Sequence, residues 1–161
     1  MRTPLISLMF LGLLPQILCA EESLFPHCNR REDVVYGRKF GTALTMDVFS
    51  PKVQGKGIGV IFVVSGGWSS RHEDISQYAR PFIDQLAERG FTVFAVVHGS
   101  RPRYSIPEII GDLERSIRYI RYHANEFGID RDRIGVCGAS AGGHLSLMLG
   151  TKGKPANPDA E

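Results

Sequence analysis

The chain has 161 residues, which suits one domain of moderate size, and its 43% hydrophobic and 22% charged residues are an ordinary globular balance. The formal net charge is only +2, with both signs interspersed, and no basic stretch alternates with aromatic residues, so nothing points to nucleic acid as a partner. The basic residues of RYIRYHANEFGIDRDR read instead as one solvated helix face and its exit.

The first element is MRTPLISLMFLGLLPQILCA. Arg2 is a basic start, Leu5 to Leu14 an apolar core, and Cys19-Ala20 a small-residue exit before Glu21-Glu22. This is the pattern of a secretory signal peptide over residues 1–20, with cleavage near Ala20 and a secreted or periplasmic product. The apolar run is too short for a membrane span and carries Pro15. A lipid attached at Cys19 is disfavoured by the bulk of Leu18 before it. No second membrane segment follows. The mature chain keeps Cys28 and Cys137, which is too few for a disulfide framework, and Cys137 reads as a small apolar core residue.

Residues 21–33 are polar and read as an irregular segment. A domain is expected over 34–161. VVYGR is a short first strand. ALTMDVFSP alternates, with Leu44, Met46 and Val48 on one face, and ends at Pro51, as expected of a strand at a sheet edge. IGVIFVV, 58–64, is continuously apolar and β-branched, a central strand covered on both faces. Apolar positions 75, 78, 79, 82, 83 and 86 have helix spacing, and Pro81 places the helix start near Arg80 with Gly90 as its end. FTVFAVV, 91–97, is a second buried strand, and HGSRPRYSIP a loop. Ile109, Ile110, Leu113, Ile117 and Ile120 make a second helical stripe, predicted to run to near Gly128. RIGVCG is a further strand, GGHLSLMLG a further helix, and TKGKPANPDAE a loop. Continuous apolar strands alternating with helices predict an α/β fold with a mostly parallel sheet and helices on both faces.

In such sheets ligands bind beyond the carboxyl ends of the strands. Gly138-Ala139-Ser140-Ala141-Gly142 lies between the last strand and the last helix and fits G-x-S-x-G, the sharp turn that exposes a nucleophilic serine. A phosphate loop needs another glycine spacing and usually a lysine. Ser140 is therefore the candidate nucleophile. VVSGGWSS follows the central strand, where Gly66 and Gly67 let backbone amides approach a developing oxyanion, with the Ala141 amide as partner. Trp68 is a candidate wall of the substrate cleft, and Arg101, Arg103 and Tyr104 are further candidates on the next loop. His144 lies one helical turn beyond Ser140, which fits a structural role better than a base that must reach the serine hydroxyl. His72 and His98 follow strands and are candidates to line a pocket, whereas His27 and His123 look peripheral.

The segments SGGW, IPEIIGDLERSIRYIRYHANEFGIDRDRIGV and GASAGGHLSLMLG resemble the esterase/lipase group of the α/β-hydrolase superfamily, near hormone-sensitive-lipase-like and bacterial feruloyl-esterase-like proteins. The resemblance covers about residues 34–150 and implies a serine hydrolase of carboxylic esters working through an acyl-enzyme on Ser140. It implies a triad in the chain order Ser, then Asp or Glu, then His. It implies no metal and no organic cofactor. Its expected substrate is a small-molecule or polysaccharide-linked ester. Related proteins carry a histidine at the head of the glycine loop, where this chain has Val64 or Ser65. Asp159 and Glu161 come too early to be the acid, so the expectation is the N-terminal part of the fold, its later strands and remaining triad members lying beyond residue 161. Two other readings share these motifs: a prolyl-oligopeptidase-like serine peptidase, and a non-catalytic hydrolase-like fragment.

Overall fold

The computed structural model describes residues 24–152. The proposed signal peptide, Asp159 and Glu161 lie outside the described residues. The first two strands, β1 (Cys28–Lys39) and β2 (Thr42–Pro51), form a hairpin whose ends pair Lys39 with Thr42. Its two turn residues, Phe40 and Gly41, have φ of 47° and 79°, the left-handed pair that matches the twist of a tight hairpin. The sheet continues with β3 (Gly59–Val64), β4 (Thr92–Val97) and β5 (Ile134–Cys137) in the order β1-β2-β4-β3-β5.

β3 runs parallel to both β4 and β5, while β1 and β2, and β2 and β4, pair antiparallel. The sheet is thus mixed. The strands joined through helices are parallel, as expected, and the hairpin supplies the antiparallel contacts. Two expectations are corrected. ALTMDVFSP is not an edge strand: β2 lies between β1 and β4, and its residues 46–49 are all buried. Residues 28–33 are not irregular, because β1 begins at Cys28 and takes the edge itself. Its polar residues Arg31, Glu32 and Asp33 face solvent there, which hid the strand from a search for apolar alternation.

A π-helical turn, Ile75–Ala79, runs into α1 (Arg80–Glu88), and α2 (Ile106–Tyr122) and α3 (Ala141–Lys152) follow β4 and β5. Pro81 sits in the first turn of α1, where its missing N–H costs nothing. Ser105 and Glu108 close a capping box on α2: the Ser105 N–H donates to Glu108 Oε2 at 2.8 Å. That bond, with the Ser105 hydroxyl, holds the Glu108 carboxyl below the usual range. α2 ends at Tyr122, earlier than predicted. Ala124 and Phe127 continue its apolar stripe, but through a turn that closes at Gly128 with φ of 65°.

Two cores lie on opposite faces of the sheet. α2 and α3 cover one, built around Met46, Ile61, Phe94, Leu113 and Leu145; α1 covers the other, built around Phe49, Ile75, Ile83 and Val93. Along β4, Val93 and Ala95 face the α1 core while Phe94 and Val96 face the α2 core, and all four are fully buried. That is why β4 reads as an unbroken apolar run. β5 is only partly covered and pairs only with β3 among the described strands. Cys137, which ends it, is half-buried rather than core, and burial raises its thiol pKa. Cys28 is fully enclosed, which pushes its thiol up to about 11.

Candidate active site

β5 ends at Cys137 and α3 begins at Ala141, so Gly138, Ala139 and Ser140 turn the chain within three residues. Ser140 has φ of 51°, a left-handed conformation that a residue with a Cβ adopts only under local constraint. The flanking glycines supply the constraint. A Cβ on Gly138 would lie 2.6 Å from the Gly142 carbonyl carbon, and one on Gly142 would collide with the Val63 carbonyl oxygen. Neither neighbour can give way, because both are backbone. The turn therefore seats α3 directly against β3, and Ser140 is left exposed at its apex.

Phe62 pairs with Cys137, so the carboxyl ends of β3 and β5 lie side by side. The loop after β3 makes a second tight turn. Gly66 and Ser69 exchange two main-chain hydrogen bonds of 2.9 Å, and between them Gly67 and Trp68 have φ of 57° and 61°. The Gly66 N–H is thereby committed to the Ser69 carbonyl. Of the two glycines expected to donate to an oxyanion, Gly67 is the one whose amide stays free of that pairing. The Ala141 amide opens α3, where helix geometry provides no acceptor for it. A cavity of about 390 Å³ is lined by Ser65, Gly66, Ala139 and Ser140 together with Phe62, Val64, Arg71 and Asp74. The two loops therefore share one cleft.

Trp68 does not line that cavity. It packs against the α2 core, and its indole N–H donates to His144 Nδ1 at 3.5 Å, with the two rings edge to face. The Arg101 guanidinium sits 5.7 Å from the indole centroid, and the Arg101 N–H donates to the Trp68 carbonyl at 3.1 Å. Trp68 is thus an anchor that pins the glycine turn to α3, and His144 is its partner. His72 lines neither this cavity nor the one beyond β4, and its Nε2 lies 3.1 Å from buried Asp47. His27 pairs with Asp84 and His123 with Glu126, both at the surface. His98, Arg103 and Tyr104 line a separate pocket beyond β4.

Sequence reasoning missed the residues that hold the glycine loop. The Ser70 hydroxyl donates to the Val64 carbonyl at 2.5 Å and accepts the His98 N–H at 3.2 Å, tying the end of β3 to the end of β4. Ser100 Oγ accepts the Ser70 N–H at 2.8 Å and donates to the Ser70 carbonyl at 3.1 Å. Nothing in the spacing of two serines 30 residues apart signals this clamp. Ligand atoms of Glu32, Asp47 and His72 also converge within 4.8 Å of one another. Arg30 already pairs with both carboxylates, donating to Asp47 at 2.6 and 2.8 Å and standing 3.5 Å from Glu32.

Comparison with known proteins agrees with this architecture. The BD-FAE family model matches residues 46–161, most of the chain and all of its elements from late β2 onward. The chain belongs to the BD-FAE family. Among curated relatives it is 34% identical over 119 residues to a probable carboxylic ester hydrolase, LipM, of Mycobacterium tuberculosis, covering 72% of this chain and 27% of that protein. It is 33% identical over 99 residues to an acetylxylan esterase of Xylanibacter ruminicola, covering 59% of this chain and 19% of that one. The chain thus spans about a quarter of LipM's length and less of the acetylxylan esterase. Among solved structures, a truncated carbohydrate esterase from gut microbiota aligns with a TM-score of 0.69 at 26% identity, covering 80% of this chain and 45% of that one. A thermophilic esterase of Thermogutta terrifontis aligns with a TM-score of 0.65 at 26% identity, covering 78% and 44%. The described strands and helices are the N-terminal part of an α/β-hydrolase fold.

Proposed function

We propose that this chain is the nucleophile-bearing part of an exported serine hydrolase of carboxylic esters. The observation that carries the reading is the left-handed Ser140 at the β5–α3 turn, sharing one cleft with the glycine loop after β3. Ser140 Oγ attacks the acyl carbonyl and forms the acyl-enzyme. The carbonyl oxygen becomes negative as the tetrahedral intermediate forms, and the amides of Gly67 and Ala141 donate to it. The N-terminus of α3 adds a favourable partial charge at the same place. A histidine from beyond residue 161, oriented by an acid that stays ionised, takes the serine proton and gives it to the leaving alcohol; the same histidine then takes a proton from the water that attacks the acyl-enzyme and returns it to Ser140 Oγ as the carboxylic acid leaves. Relatives described as carboxylic ester hydrolases and esterases favour an ester over a peptide bond. The apolar leader over residues 1–20 supports export.

The test uses the intact protein. Ester turnover and labelling by a fluorophosphonate probe are expected, and both should disappear in Ser140→Ala, with turnover falling about a thousandfold or more. Turnover of aminoacyl amides in preference to esters would replace this reading with the peptidase one. A folded wild type that the probe does not label would leave only a non-catalytic role.

A further inference from the structure

The two amides assigned to the oxyanion stand on different segments. Gly67 lies in the loop after β3, and Ala141 opens α3. Such donors stabilise a developing charge only if they are held in place before it forms. The base of the loop abuts α3 where Gly142 packs against the Val63 carbonyl. Its tip is a separate tight turn. Among the described residues, one hydrogen bond joins residues 65–69 to α3, the Trp68 indole N–H donating to His144 Nδ1 at 3.5 Å.

The turn needs that tie. With φ of 57° at Gly67 and 61° at Trp68, it is of the left-handed kind that glycine and asparagine fill readily. Glycine takes the first place without cost, but a tryptophan at positive φ is an outlier that surrounding contacts must impose. The Trp68 carbonyl accepts the Arg101 N–H at 3.1 Å, and the Arg101 guanidinium lies 5.7 Å from the indole centroid. From the other element, the His144 ring meets the indole edge to face, with centroids 5.9 Å apart. His144 is itself fixed to the nucleophile turn, its N–H donating to the Ser140 carbonyl at 3.1 Å. Were Trp68 to relax to negative φ, the turn would change type, and the Gly66–Gly67 peptide that carries the Gly67 N–H would rotate.

We infer, on the ester-hydrolase reading, that His144 is a positioning residue of the oxyanion hole: by accepting the Trp68 indole N–H through Nδ1, it holds the Gly67 amide at a set distance from the Ala141 amide. The proton of the neutral ring then sits on Nε2. His144 is exposed and belongs to neither core, so replacing it leaves the packing of the sheet intact.

The experiment measures kcat and KM of the intact protein with p-nitrophenyl acetate. His144→Leu removes the acceptor and should lower kcat about tenfold, less than the roughly hundredfold or more of deleting an oxyanion donor outright. KM should stay within about twofold of wild type, because the donors act in the transition state. His144→Asn puts Oδ1 close to where Nδ1 stood and should restore kcat to within about threefold of wild type. Trp68→Phe keeps an aromatic ring, removes the N–H and should match His144→Leu, and the double variant should fall no further. The nitrogen-15 indole N–H resonance of Trp68, assigned by its loss in Trp68→Phe, should shift in His144→Leu and return toward its wild-type position in His144→Asn. An active wild type whose kcat is unchanged in His144→Leu overturns this inference alone. So does a loss that His144→Asn fails to restore, or losses that multiply in the double variant. A wild type that turns over no ester overturns the ester-hydrolase reading and this inference with it.

Discussion

Ser70→Ala tests whether the clamp beneath the glycine loop holds through two buried hydrogen bonds. The serine is 7% exposed, and its hydroxyl satisfies two main-chain groups, the Val64 carbonyl at 2.5 Å and the His98 N–H at 3.2 Å. Alanine removes one oxygen and leaves both groups buried without that partner. An unpaired buried donor or acceptor costs about 1–3 kcal/mol. The sum for two, reduced by local relaxation, is an expected loss of about 2–4 kcal/mol. Urea unfolding measures it: the midpoint should fall with no change of slope, since the surface exposed on unfolding is the same. Ser100→Ala removes a separate pair of bonds to the Ser70 main chain and should cost about 1 kcal/mol. A Ser70→Ala loss below about 0.5 kcal/mol at unchanged slope would refute the assignment, because a neutral mutation cannot have orphaned two buried groups.

Arg30→Ala leaves the fully buried Asp47 carboxylate without its guanidinium, and should destabilise by about 3–5 kcal/mol in the same assay. The pair Arg30→Met with Asp47→Leu should cost far less, because both charges leave together. Gly142→Ala places a methyl against the Val63 carbonyl, so α3 must move off β3; ester turnover should fall about a hundredfold, measured as kcat/KM on protein that still melts cooperatively. Burial lowers the His98 pKa below its free value of 6.5, so the unfolded chain takes up a proton before the folded one does. Its contribution is therefore fully present above about pH 6.5 and declines as pH falls below that value. The difference in urea midpoint between wild type and His98→Gln, followed from about pH 7.5 to 5.5, should shrink, and a constant difference would contradict the buried neutral imidazole.

Much of the fold is legible in the order of residues, because burial imposes periodicity. β3 and β4 are covered on both faces and read as continuous apolar runs; α1 and α2 carry stripes at helix spacing, with Pro81 and Pro107 near their starts. The Ser140 turn is legible for a related reason. Glycine is required wherever a Cβ would strike backbone, and Gly138 and Gly142 mark two such places at a fixed distance from the serine. By contrast β1 carries arginine, glutamate and aspartate along a sheet edge, where one side of the strand needs no apolar partner, so composition conceals it.

What the chain order alone decides is therefore local: which segments are strands and helices, and where the backbone must turn so tightly that only glycine fits. What only the tertiary structure decides is which polar groups meet. Ser70 with Ser100, Trp68 with His144, and Arg30 with Asp47 lie between 17 and 76 residues apart, and neither partner of any pair marks the other in sequence. A hydrogen bond reaches about 3 Å, and the sheet's crossing order alone brings such distant residues that close.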